Sequence, residues 1–387
     1  MLLYVHVPFC KSKCHYCAFH STTSGEAERE RYTELAVKEL TLWGERLPQQ
    51  QVSTLFFGGG TPSLLRLDQL ERIINTAQKH FRFAPDFECT LEANPDSVAQ
   101  LTYLNGLKSL GFNRLSLGVQ STSKEMLALL GRPHSPEQAR QAVSLARQAG
   151  FSNLSVDLIW GLPGQRLSQW LKELNTVISW RPDHLSCYGL SIEPGTEFER
   201  RWDNKEIVLP TDDEQAKMFI NGADLLESEG YLQYEISNYA QLGFHSRHNL
   251  GYWQGREYLG IGPSAVSTVK HLRWQHPLTL DEYQHSIESG RPESSAERLD
   301  AITQAKEAIM LHLRTAKGLP FARYKALTGR DFRHDFKPMM TALYNKGLIR
   351  LKAGHISFSR TGMLVSDTIL SNIFASPVWD SPVEISR

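Results

Sequence analysis

Residues 4–20 read Tyr4-Val-His-Val-Pro-Phe-Cys10-Lys-Ser-Lys-Cys14-His-Tyr16-Cys17-Ala-Phe19-His20. Three of the chain's five cysteines, Cys10, Cys14 and Cys17, fall within eight positions. Thiolates bind soft metals and iron–sulfur clusters, and one loop can wrap closely spaced thiolates around a single cubane. Three sulfurs serve three irons of a [4Fe–4S] cluster and leave the fourth open, whereas electron-carrying clusters are usually held by four cysteines. An open iron points to chemistry at that iron. Two alternatives remain at this stage. A structural zinc site wants four ligands, and His6, His15 or His20 could complete one. Disulfides would leave an odd thiol and need an oxidising compartment.

The loop follows Leu2–Val7, an apolar strand pattern, so it hangs from a strand's carboxyl end. Beyond it, β-rich runs alternate with helical ones to about residue 240. Strands are expected at Val52–Phe57, Phe87–Glu92, Arg114–Val119, Leu154–Ile159, His184–Leu190 and Gln233–Ile236. Helices are expected at Ala27–Leu47, Leu67–Phe81, Val98–Leu110, Pro136–Ala149, Leu167–Trp180 and Gln215–Glu229, with helical turns around Met126–Leu130. Ser135 and Pro136 are a helix start and Gly150 is a stop. Such alternation implies a parallel sheet with right-handed crossovers, with ligands at the carboxyl ends of the strands. A doubly wound sheet and a full or partial barrel both fit. After about residue 290, three helical stretches (Ala301–Leu313, Phe321–Leu327, Asp335–Asn345) precede two short strands (Leu348–Leu351, His355–Phe358). That order resembles a winged helix. The expected division is therefore 1–240, a connector at 241–290, and 291–387.

The chain has 387 residues and is 41% hydrophobic, with 42 basic and 42 acidic side chains. That balance gives no electrostatic case for nucleic acid or an anionic membrane. Lys317–Lys352 is locally basic, with nine Lys/Arg against two Asp/Glu, yet no recognition helix stands out and nucleic acid is not expected. The first residues lack the basic region of a signal peptide, and no apolar run reaches the ~18 residues of a membrane span. A cytoplasmic protein with reduced thiols is expected. Cys89 and Cys187 sit alone in apolar strand contexts and read as inert core thiols.

The spacing Cys-x3-Cys-x2-Cys, with Tyr16 before the last cysteine, resembles the radical S-adenosylmethionine (SAM) superfamily. The resemblance implies a partial (β/α)6 barrel in which SAM chelates the open iron through its amino and carboxylate groups. Gly58-Gly-Gly-Thr-Pro62 follows a strand, as does that family's glycine-rich stretch, and by resemblance Gly59, Gly60 and Thr61 contact SAM's amino acid moiety. Glycines let a backbone approach a ligand and expose N–H groups to an anion. Glu92 and Asp157 end apolar strands, and a carboxylate there accepts hydrogen bonds from SAM's ammonium and ribose diol. Gln120 suits the sugar, and Arg132 could pair bidentately with a carboxylate. Tyr4 and Tyr16 complete the expected cradle.

His248-Asn-Leu-Gly-Tyr-Trp253 offers His and Tyr as axial haem ligands and aromatic rings for a porphyrin face, and His245 could compete. Nearly the whole chain resembles the coproporphyrinogen-oxidase-like branch of the superfamily. The oxidase in that branch has a fourth cysteine where this chain has Phe19, and a longer segment before its cluster. Both departures, and the intact His-Asn-x-x-Tyr-Trp signature (His248, Asn249, Tyr252, Trp253), make the chain similar to HemW-type haem chaperones. That resemblance implies haem binding and delivery to an apo-haemoprotein of the respiratory chain, with a [4Fe–4S] cluster and SAM present. Radical SAM decarboxylation of coproporphyrinogen III is the alternative, and Phe19 weighs against it. Peripheral membrane contact and a homodimer stay open.

Overall fold

The computed structural model describes residues 1–48, 50–293 and 295–380. Its contacts divide them into two compact units. One comprises Met1–Met218 and Glu257–Glu297, the other Phe219–Arg256 and Arg298–Arg387. The division does not follow the sequence pattern at 240 and 290. Residues 257–297 go with the first unit because Tyr258–Ile261 pairs in parallel with the first strand.

The first unit is built from β1 (Leu2–Val7), α1 (Glu26–Arg46), β2 (Gln51–Gly59), α2 (Leu67–His80), β3 (Arg82–Ala93), α3 (Leu101–Ser109), β4 (Arg114–Gln120), α4 (Lys124–Leu130), α5 (Pro136–Gln148), β5 (Leu154–Trp160), α6 (Leu167–Ile178), β6 (His184–Gly189) and α7 (Glu197–Asp203). Strands β1 to β6 are all parallel and stand side by side in chain order. A doubly wound sheet reverses its order at a switch point, whereas a barrel winds one way. The observed order is that of the barrel. Closure by β6 onto β1 is pre-empted, since Tyr258–Ile261 occupies β1's free edge and leads into the antiparallel strands Val266–Val269 and Leu272–Gln275. The result is the expected partial (β/α)6 barrel.

The strands are buried apolar runs, as a sheet covered on both faces requires. Leu2, Leu3, Val5, Val7, Leu55, Phe57, Leu91, Leu115, Leu117, Leu154, Val156 and Leu158 are all buried. Cys89 and Cys187 are buried free thiols among them, and burial holds both well above the ordinary thiol range. Helix α5 begins as expected, with Ser135 accepting from the Gln138 N–H and Pro136 in the first turn. Helix α3 starts later than expected, because Pro95–Ser97 forms a separate 3₁₀ turn tied to Asn94 through Ser97.

In the second unit, Leu319–Pro320, His355–Phe358 and Ile349–Lys352 form a small antiparallel sheet in that order. Helices Ala301–Leu313, Phe321–Thr328, Phe332–Asp335 and Lys337–Asn345 precede its hairpin. This is the winged-helix-like arrangement, packed around Tyr324, Phe332, Phe336 and Trp379. The strand expected at Gln233–Ile236 covers only Leu232–Gln233, because the Glu235 carboxylate accepts from the Ser237 N–H and turns the chain.

Candidate functional site

The carboxyl ends of β1 to β6 surround one cavity of about 620 Å³, within the size range of small-molecule sites. Cys10, Cys14 and Cys17 line it together with Tyr16, Gly59, Gly60, Thr61, Glu92, Gln120, Arg132 and Asp157. Tyr4 is the one expected cradle residue outside this lining. Its hydroxyl instead meets His6 Nδ1 at 3.0 Å.

The cysteine loop is pinned at its start and middle. Cys10 N–H donates to Thr22 O (2.9 Å), and Thr22 N–H returns a bond to Pro8 O (2.8 Å). His15 N–H donates to Leu130 O (3.0 Å), and its Nδ1 lies 2.8 Å from Leu129 O. Tyr16 packs on the apolar cluster of Leu130, Ile159, Leu162, Phe198 and Ile207. The aromatic residue before the third cysteine therefore anchors the loop to the barrel. His6, one of the histidines considered as a zinc ligand, is buried beneath Gly59, and burial pulls its pKa down to about 4.

The glycine-rich turn works mainly by allowing close approach. A Cβ on Gly59, whose φ is +107°, would lie 2.5 Å from the His6 ring, and one on Gly60 would lie 2.6 Å from Phe9 O. Three N–H groups of the turn are engaged within the protein. Gly60 donates to Val7 O (2.8 Å), Thr61 to Phe9 O (2.7 Å) and Gly59 to Glu92 Oε2 (3.2 Å). They bind the turn to the cysteine loop and to β3 rather than standing open for an anion.

Two acids face the same cavity. Burial raises Glu92 to about 8, Asp157 adds to the rise, and the Gly59 N–H and Arg114 oppose it. Asp157 is also raised by burial, although Ser186, Arg114, Ser116 and Ser155 favour its charged form. Ser116 Oγ donates to Asp157 at 3.1 Å. Paired, partly buried carboxyls lining a cavity are suited to a cationic ligand, which would favour ionisation of both. Gln120 sits beside a sheet irregularity with φ +68°, which turns its side chain into the cavity wall.

Arg132 differs from its expected use. Nη2 donates to Asn94 Oδ1 and to Gly118 O, both at 2.6 Å, and Nη1 donates to Cys14 Sγ at 3.3 Å. Both guanidinium forks include Nη2, so neither is open for a bidentate carboxylate. The sequence reading also passed over Asn94, Ser116 and Tyr188, which line the cavity. Asn94 lay in a Leu-Glu-Ala-Asn-Pro segment that reads as an ordinary strand end.

The donor set fits a cubane. Three cysteines on one loop share one cavity, and each sulfur meets a donor: Thr61 Oγ1 at Cys10 (3.6 Å), Arg132 at Cys14 and the Phe19 N–H at Cys17. Among the described residues no three His, Cys, Asp or Glu side chains converge on one metal ion. A cubane gives each thiolate its own iron, so its ligands need not converge.

His248, Asn249, Tyr252 and Trp253 belong to the second unit, on the helix Arg247–Trp253 begun by Ser246, which accepts from the Asn249 N–H (3.3 Å). His248 is 1% exposed and its ring meets Tyr252 edge-on at 4.8 Å. Tyr252 and Trp253 are partly exposed.

Residues 4–177 match the Radical SAM superfamily, and residues 299–365 match the HemN C-terminal domain. Proteins named heme chaperone HemW are 33% identical in Mycobacterium tuberculosis (96% of this chain, 94% of the relative) and 34% identical in Escherichia coli (96% and 98%). The chain belongs to the HemW family. A relative of the same name in Synechocystis is 35% identical over 83% of this chain and 79% of its own length. Among solved structures, Escherichia coli coproporphyrinogen III oxidase (HemN) superposes with a TM-score of 0.81 at 24% identity, covering 96% of this chain and 89% of that one. Family membership carries the radical SAM assignment, and the superposition carries the fold. No described helix is long and apolar enough to cross a membrane.

Proposed function

We propose that the protein binds haem and passes it to an apo-haemoprotein of the respiratory chain, and that it carries a [4Fe–4S] cluster and SAM in the barrel unit. The observation that supports this most is the gathering of Cys10, Cys14 and Cys17 with Glu92, Gln120 and Asp157 around one cavity, in a chain that retains the His248–Trp253 signature. Cys10, Cys14 and Cys17 would hold the cluster, which supplies an open iron when bound. Glu92 and Asp157 would accept from SAM's cationic and hydroxyl groups, with Gln120 on the sugar. Tyr16 and the turn at Gly59, Gly60 and Thr61 hold the loop in place, and Tyr4 acts at one remove through His6.

Haem is the cargo. The partly exposed Tyr252 and Trp253 offer ring faces, and ligation by buried His248 requires its helix to open. A reducing, cytoplasmic compartment suits the three thiols. Phe19, where the oxidase has its fourth cysteine, is 67% exposed at the cavity and brings no ligand of its own. The test is haem titration of His248→Ala and Trp253→Ala. A tenfold or greater loss of haem affinity in either supports the site, and unchanged spectra and affinity in both refute it.

A further inference from the structure

Asn94 touches neither cysteine, yet it links the donors that serve two of them. Its Nδ2 donates to Thr61 Oγ1 at 3.2 Å, and its Oδ1 accepts from Arg132 Nη2 at 2.6 Å. Thr61 Oγ1 donates to Cys10 Sγ at 3.6 Å, and Arg132 Nη1 to Cys14 Sγ at 3.3 Å. Sulfur's larger radius makes these lengths ordinary contacts.

The direction of every bond in the chain is determined. Arginine donates only, so the Asn94 oxygen must face Arg132 and its NH₂ must face Thr61. With its oxygen accepting from Asn94, the Thr61 hydroxyl is left to send its proton onward to Cys10. Both ends therefore deliver hydrogen to sulfur, and one end carries a guanidinium charge. Gly118 O takes the other Nη2 hydrogen and fixes the guanidinium plane. Thr61 is 3% exposed, so water does not replace its bond easily.

We propose that Asn94 is a positioning residue for the cluster: through Thr61 and Arg132 it directs hydrogen bonds onto Cys10 and Cys14, and so raises the cluster's reduction potential. Hydrogen bonds to sulfur and nearby charge set the potentials of iron–sulfur clusters. Donors stabilise the extra electron of the reduced state, and a charged donor does so most. The inference rests on the cluster reading above.

The experiment is an anaerobic reductive titration of the reconstituted full chain without SAM, followed by electron paramagnetic resonance, with iron counted in each sample. Thr61→Val removes the bond to Cys10 together with the acceptor of Asn94 Nδ2, and leaves Arg132 on Cys14. Asn94→Leu releases both arms. At full iron content, Thr61→Val is expected to lower the reduction equilibrium constant at least threefold, about 28 mV at 59 mV per tenfold for one electron. Asn94→Leu should lower it further, and Thr61→Val should add little in the Asn94→Leu background, since the relay is one unit. Unchanged potentials, or fully additive shifts, overturn the proposal. Should Asn94→Leu fail to take up iron, Thr61→Val alone decides in the same way. A wild-type chain that takes up no cluster refutes the cluster reading itself, an outcome distinct from a cluster whose potential ignores Thr61 and Asn94.

Discussion

Glu92→Gln in the cluster-free protein isolates the cost of keeping a carboxyl in the cavity wall. The folded state holds the Glu92 proton with a pKa of about 8, against 4.5 for an ordinary glutamate. Folding thus binds the proton more tightly. Stability from this group is complete below the ordinary value and is lost as pH rises through the folded one. Inside that window the loss approaches ~1.4 kcal/mol per pH unit. Between about pH 5.5 and about pH 7.5 it reaches up to ~2.7 kcal/mol, less whatever cavity water returns to the carboxylate. Glutamine keeps the shape and cannot ionise. Urea unfolding of both proteins at the two pH values gives a difference of differences, in which groups that do not interact with Glu92 cancel and Asp157 enters only through its coupling to Glu92. The wild type should lose about 1–3 kcal/mol more than Glu92→Gln over this range. Equal losses in the two proteins would refute the argument that Glu92 is held protonated. Saturating SAM should shrink the difference, because a cation beside Glu92 favours its ionised form.

Other substitutions probe the support of the site. Gly60→Ala brings a Cβ to 2.6 Å from Phe9 O, which forces the start of the cysteine loop to move; a loss of about 1–3 kcal/mol in unfolding experiments and lower iron uptake are expected. Glu39 is buried among Tyr283 Oη (2.5 Å), His276 Nε2 (2.7 Å), Gly262 N (3.0 Å) and Trp43 Nε1 (3.1 Å), tying α1 to residues 257–297. Glu39→Ala should cost about 3–5 kcal/mol by leaving these groups without their acceptor, as urea unfolding would read. Cys17→Ser should abolish the absorption of the reconstituted cluster while leaving far-ultraviolet circular dichroism intact.

Much of the barrel was legible because its strands are buried on both faces and read as unbroken apolar runs between capped helices. Leu2–Val7 and Leu154–Ile159 are of that kind. The strands at residues 258–275 were not legible. They are four residues each, and Gly260 sits among them because a Cβ there would collide with Val266 O. The site was legible where chemistry is local, as in the cysteine loop, or where an acid ends an apolar strand. The roles of its polar residues were not. Whether Arg132 faces a ligand or Cys14 depends on Asn94 and Gly118, 38 and 14 residues away, and no spacing rule encodes that. The N–H groups of the glycine turn misled for the same reason: their acceptors, Val7 O, Phe9 O and Glu92 Oε2, lie on two other strands and on the loop after the first of them.

On the proposed function, this family member carries haem rather than decarboxylating a porphyrinogen. The most direct test is one anaerobic sample with the cluster reconstituted, titrated with haem by absorption spectroscopy and assayed with SAM, reductant and coproporphyrinogen III for CO₂ release. Stoichiometric haem uptake without CO₂ release is the expected result. Release of CO₂ without tight haem uptake would contradict the account and make the protein an oxidase.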